Sequence, residues 1–130
     1  MRLKSKLEAT AETIEKRHGP FTLFGLFLRE DSPNKWDLVV SAPWLEEGKL
    51  KALREFVGEL NQTISEEDLL NLSRIITLNQ SDRALEAILH QVPRMWGTVE
   101  LHGSDLFGLS ISHAYIMRAV KNDLIPVHSF

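Results

Sequence analysis

Two groups of residues in this sequence have types and spacings that could do chemistry. The first is Asp37 with the triplet Glu47-Gly48-Lys49. Two carboxylates on neighbouring strands can hold a divalent cation beside a scissile phosphate, while the lysine orients or activates water. The residue types are present, but the triplet falls where a helix is predicted to begin, and the chemistry needs it on a strand. On that ground Glu47 and Lys49 read as a surface helix turn, with Asp37 paired to Lys35 or solvated. The second group is Glu100 with His102, two apart on a predicted strand and therefore on one face of it. Ser110 and Ser112 are expected beside them on the next strand. A carboxylate, an imidazole and a hydroxyl on one face could form an acid–base site, because histidine titrates near neutrality. The plainer alternative is the polar, solvent-facing side of a hairpin.

The remaining histidines are His18, His90, His113 and His128. No pair has the i,i+4 spacing of a helical metal site, and His-Glu-x-x-His is absent. Cysteine is absent too, which excludes disulfides, thiolate metal sites and a cysteine nucleophile. No metal site and no cofactor are expected. His113 falls in an apolar stripe between Ile111 and Tyr115. It is a core histidine satisfied by one hydrogen bond, or with Tyr115 it lines a pocket or an interface. Ser41 lacks the Gly-x-Ser-x-Gly setting of a serine nucleophile and reads as a helix cap. The glycines form neither a Walker loop nor a dinucleotide fingerprint. Trp36, Trp44 and Trp96 fall at element boundaries, where tryptophan buries a large area and keeps one polar atom free. Trp44 is the one of these that is also a candidate binding residue. Arg29, Arg74, Arg94 and Arg118 are scattered, and only a fold could make them converge on an anion.

The elements that must position these groups follow from periodicity. Residues 2–17 form an amphipathic helix with Leu3, Leu7, Ala11 and Ile14 on one stripe, ended by Gly19-Pro20. That stripe can pack on the protein's own sheet or pair with a copy of itself. Phe21 to Glu30 is apolar on both alternating faces, as a strand covered on both sides would be. Asp31 to Lys35 has turn chemistry, and Trp36 to Ala42 is the return strand. Residues 44–62 repeat apolar side chains at helical spacing. Ser65 to Asp68 has capping-box spacing and starts a short helix through Leu72. Arg74 to Leu78 is a third strand, and Ser81 can cap a helix over 82–92 that Pro93 ends. Thr98 to His102 and the alternating run Phe107 to Arg118 make a second hairpin. Placing Val99 and Leu101 on the stripe Phe107, Leu109, Ile111, His113, Tyr115 and Met117 sets Leu101 opposite Leu109, with the loop Ser104-Asp105-Leu106.

The expected fold is therefore α+β. It is a single domain over residues 1–121 in the order α-β-β-α-α-β-α-β-β, followed by an irregular tail over 122–130. A five-stranded mixed sheet carries β-hairpins at both ends and helices packed on it. The chain has 130 residues, 43% apolar and 25% charged, which suits one self-sufficient core. Its net charge of −3 gives no support to nucleic-acid binding. The basic residues of the first helix alternate with Glu8, Glu12 and Glu15. Its longest apolar run, Phe21 to Leu28, is far short of the roughly twenty residues that span a membrane. A soluble, cytoplasmic protein is expected.

No catalytic motif resolves, a long alternating strand lies near one end, and apolar stripes lie near both. These features favour a non-catalytic, self-associating interaction module, a homodimer in its simplest form, with a further protein partner possible. One alternative is a metal-dependent hydrolase or nuclease using Asp37, Glu47 and Lys49, or Glu100 and His102. Another is a small-molecule-binding domain using His113, Tyr115 and Trp44. Self-association predicts a native mass near twice 14.8 kDa by mass spectrometry, reduced to a single chain by a charge in the stripe such as Ile111→Asp. If that variant stays folded and its mass is unchanged from wild type, the reading is wrong.

Overall fold

The computed structural model describes residues 2–92, 98–106 and 109–120, with backbone alone at 104–106 and 109. The expected tail and Trp96 lie outside the described residues. The elements are α1 (Arg2–His18), β1 (Leu23–Arg29), β2 (Trp36–Ser41), α2 (Pro43–Thr63), α3 (Glu66–Leu69), β3 (Leu72–Thr77), α4 (Arg83–Gln91), β4 (Val99–Leu106) and β5 (Leu109–Ala119). The α+β class, the element order and the five-stranded mixed sheet are as the sequence predicts. Strand order across the sheet is β3-β2-β1-β5-β4. β2 and β3 are parallel, and the other neighbours are antiparallel. A parallel pair needs a long crossover, which α2 and α3 supply. No helix among the described residues is long and apolar enough to cross a membrane.

β1 lies at the centre, paired to β2 on one side and β5 on the other. Its two faces feed two cores, which is why its sequence is apolar at successive positions. Phe24 and Leu26 meet Leu7 and Ile14 of α1 and Phe56 and Leu60 of α2. Leu23 and Phe27 meet Leu85 and Ile88 of α4. The α1 stripe is thus consumed by the protein's own core. Phe21, Phe24, Phe56 and Trp44 add tilted and edge-on ring contacts with centroids 4.8–6.5 Å apart.

The second hairpin has a different register from the one expected. Leu101 lies opposite Ala114 rather than Leu109, and the ladder continues to Leu106 opposite Leu109, so Ser104 to Leu106 belong to β4 and not to a loop. The alternating stripe is also broken. Against β1, Leu28 pairs with His113 and Arg29 with Ile111, so Ser112 is an extra residue, a β-bulge. Ser112 Oγ donates to the Leu28 carbonyl at 3.1 Å. The extra residue reverses the parity of the strand, and a second register shift opposite Phe24 and Gly25 reverses it again beyond Met117. Ile111 is buried on the α4 side with Ala114 and Ile116, whereas Met117 is buried on the α1 side. Alternation misleads here because both faces of β5 are covered, so a small residue such as Ala114 is as deeply buried as its large neighbours. Ile111 is only 2% exposed, and a charge there would disrupt the core before it could probe an interface.

Two local features depart from the expected caps. The residue before α2 is Ala42, with no side-chain cap, while Ser41 is buried and donates to the Leu78 carbonyl at 2.7 Å. The cap of α4 is Asp82, whose carboxylate accepts from the Ala84 amide, rather than Ser81. Within α2, Lys49 has φ 51° and ψ −132°, a conformation that glycine normally supplies. For a non-glycine residue such backbone costs about 1–3 kcal/mol. The adjacent Gly48 is needed for another reason, since a Cβ there would lie 2.5 Å from that of Ala52.

α1 and α3 are joined through a buried carboxylate. Asp68 accepts from Lys6 Nζ at 2.6 Å and from Ser65 Oγ at 2.9 Å, and Arg2 Nε lies 3.4 Å away. Its own amide donates to Ser65 Oγ, closing the cap of α3. The Lys6 ammonium, then the Ser65 hydroxyl, hold this carboxyl below its ordinary value of 3.8. A depressed carboxyl stabilises the fold above its unfolded-state pKa, and that contribution is lost as pH falls through the folded value. Asp68→Asn is therefore expected to lower the thermal midpoint at pH 7. The gap from wild type should close as the pH falls below 3.8; a gap of constant size would exclude the ionic contribution.

Candidate functional site

The register of the second hairpin builds the candidate site. Glu100 lies opposite Tyr115 and His102 opposite His113, so these four side chains form a patch on the face of the sheet that carries α1. The bulge at Ser112 turns His113 to this face. Had the strict alternation persisted, His113 would lie with Ile111 in the α4-side core. His113 Nε2 is 3.0 Å from Glu100 Oε1, and His102 Nε2 is 3.1 Å from Glu100 Oε2. The two imidazoles stack with centroids 4.3 Å apart. Tyr115 packs on His113 at 4.6 Å, and Trp36 flanks both rings at 5.5 and 5.4 Å. Lys4 of α1 places its ammonium 5.4 Å from the Tyr115 ring centroid.

The site is graded in exposure. The side chain of His102 is 66% exposed, that of Glu100 44% and that of His113 24%. His113 Nε2 itself is buried and makes no well-formed hydrogen bond. It lies 3.0 Å from Glu100 Oε1, but not in the direction of a well-formed hydrogen bond. Proximity of His113, then of His102, with a hydrogen bond from Tyr115, holds the Glu100 carboxyl down to about 2. Burial, and then Glu100, push the Tyr115 hydroxyl up. Glu100, His102 and His113 each offer one donor atom, and these atoms all lie within 4.8 Å of one another. In a tetrahedral zinc site with bonds of about 2.0–2.1 Å, adjacent donors are roughly 3.3 Å apart. The two carboxylate–imidazole separations are already near that value. The sequence predicts no metal site because no histidine pair has helical metal-site spacing; it is the pairing of His102 with His113 across the hairpin that brings them together.

The other residues singled out in the sequence are placed elsewhere. Ser112 is committed to the Leu28 carbonyl, and Ser110 pairs with Asp105 in the ladder, so neither joins Glu100 and His102. Asp37 is buried on the α4 side near the start of β2. Arg29 Nε donates to its Oδ2 at 3.0 Å and Arg74 Nε lies 3.2 Å from the same oxygen. Glu47 and Lys49 are exposed in α2, past the opposite end of β2, so the structure does not bring them to Asp37. Two of the four arginines thus converge on a carboxylate rather than on an anion site, and Arg118 pairs with Glu15 at 2.7 Å. Trp44 ties α1 to α2, donating to the Gly19 carbonyl at 3.1 Å and stacking on His18. His18 also meets Glu59 at 2.8 Å, and His90 lies exposed 3.7 Å from Glu86. Arg94 and His128 lie outside the described residues.

Comparison with known protein families, with characterised proteins and with solved structures finds no match to this chain.

The Glu100 shift carries a pH signature. In metal-free protein its carboxyl should titrate near 2 instead of 4.5 by carbon-13 NMR. The stabilisation it contributes is complete above 4.5 and lost as the pH falls through about 2. His113→Ala should raise the titration point, since His113 is the largest cause. A midpoint of 4.5 in the wild type would mean that the imidazoles do not engage this carboxylate.

Proposed function

We propose that this chain is a metal-binding domain in which Glu100, His102 and His113 hold a divalent ion of the zinc class. The observation that supports it is the convergence of two imidazole nitrogens and a carboxylate across one hairpin, with the buried nitrogen of His113 lacking a well-formed hydrogen bond. Two histidines and a glutamate are a donor set that zinc accepts, and three protein ligands leave a coordination position open to water. An ion held there would lower the pKa of its bound water, the chemistry that the hydrolase alternative assigns to Glu100 and His102. Carboxylate and imidazole donors on rigid strands favour such an ion over magnesium or calcium, which prefer oxygen.

The test is titration of the chelator-treated protein with Zn²⁺ by calorimetry and with Co²⁺ by visible absorption. One ion per chain is expected, with cobalt bands of a four- or five-coordinate site. His102→Ala is the informative variant, because this exposed ring can be removed without unsettling the core. It should weaken binding by more than the about 10–100-fold that losing an outer-shell partner costs. Absence of binding by the wild type, or binding unaffected by His102→Ala and Glu100→Gln, overturns the proposal.

Self-association is a second reading, and it rests on β4. Among the described residues this eight-residue strand pairs on one side alone and contains neither proline nor lysine, two common protections of an open edge.

A further inference from the structure

We infer that a crevice at the opposite side of the sheet binds a small zwitterion of the amino-acid type with an aliphatic side chain. The crevice opens outside the carboxyl ends of the parallel pair β2 and β3. Its apolar lining includes Leu45, Leu53 and Leu78, and its polar lining includes Glu46, Lys49 and Asn79. Its volume of about 240 Å³ is below the roughly 300–1,000 Å³ of drug-sized sites, so the occupant must be small.

The rim carries one charge of each sign, held apart. Residues 46 and 49 on an unbroken helix would be neighbours one turn apart, able to form an ion pair. The break at Lys49, with φ 51° and ψ −132°, removes that geometry, and the two side chains do not pair. Glu46 uses one carboxylate oxygen to accept from the Gln80 amide at 3.1 Å, which fixes it at the rim and leaves the other oxygen available. The Lys49 ammonium has no acidic partner among the described residues. Strained non-glycine backbone persists where the surroundings enforce it, and such positions cluster at ligand sites. A carboxylate matches Lys49, an ammonium matches the free oxygen of Glu46, and a short aliphatic chain matches the leucines between them. A simple anion would leave Glu46 opposed to it, and an amine would leave Lys49 without a partner.

The experiment uses L-leucine as the probe, followed by proton–nitrogen NMR titration of the full chain. 4-Methylpentanoate, which lacks the ammonium, and 3-methylbutylamine, which lacks the carboxylate, serve as comparisons. Leucine should bind at millimolar concentration or tighter and shift the amides of Glu46, Lys49 and Asn79, and both comparison compounds should bind much more weakly. Lys49→Gln and Glu46→Gln should each weaken leucine binding by about tenfold or more, the scale of one charge-assisted hydrogen bond. Glu46→Gln keeps an acceptor for the backbone N–H of Gln80. Lys49→Gly should abolish binding while raising the thermal midpoint, because glycine adopts this backbone without strain. No leucine binding by the wild type overturns the inference, as does equal binding of 4-methylpentanoate or 3-methylbutylamine. Binding that survives both glutamine variants overturns it as well. None of these outcomes bears on metal binding at the other edge of the sheet.

Discussion

Ser112 is one residue more than β1 can match, and that excess sets which side of the sheet the middle of β5 faces, up to a second register shift opposite Phe24 and Gly25. It sends Ile111 into the core under α4 and turns His113 and Tyr115 toward α1. The bulge is held by a hydrogen bond from the serine hydroxyl to a β1 carbonyl, so the backbone group freed by the irregularity is satisfied. Because β5 lies between β1 and β4, its parity passes to the edge strand, and Glu100 and His102 acquire His113 as a neighbour. Without the bulge Ile111 and His113 would face the same side of the sheet.

The rest of the fold keeps this arrangement rigid. β1 is paired on both edges and covered on both faces, so neither core can shift without the other. Charges taken into the interior are paired, as buried charges must be. Asp37 is held by Arg29 and Arg74 on one side of the sheet, and Asp68 by Lys6 and Ser65 on the other. Each of these carboxylates links elements distant in sequence, which gives them a part in specifying the fold beyond the modest net energy of an ion pair. The Glu100 cluster differs from both. It joins only the two strands of one hairpin, stands half open to solvent, and contains a buried nitrogen without a well-formed bond. A buried atom without a well-formed bond occurs in both places, His113 Nε2 here and Asp37 Oδ1 beside the arginines; what sets this cluster apart is that its three donor atoms lie within 4.8 Å of one another.

The molecule places its two candidate binding regions at opposite edges of one sheet. The crevice belongs to the parallel half, where the α2 crossover leaves a gap beyond the strand ends. The histidine cluster belongs to the antiparallel half, where cross-strand neighbours face each other directly. Their separation across β1 means that each can be altered without touching the other's side chains.

Local chemistry in the sequence was enough to determine the elements and their order. The stripe Leu3, Leu7, Ala11 and Ile14 could only be one buried helix face, and apolar residues on both faces of Phe21 to Leu28 required a strand covered twice. The turn residues Asp31 to Lys35 imposed the first hairpin. Asp68 was legible as part of a cap, although its partner Lys6 was not. What tertiary structure alone decided was pairing and parity. Alternation identifies the buried face of a strand only when its other face meets solvent, and β5 has no solvent face along most of its length. The bulge has no signal in residue type, since a serine between Ile111 and His113 suits a regular strand equally well. The partners of Asp37, the hydrogen bonds of Ser41 and the meeting of Glu100 with His113 depend on contacts between residues far apart in the chain or on a register that local periodicity does not encode. For that reason the sequence showed a carboxylate and a histidine two residues apart, and the fold made them part of a site.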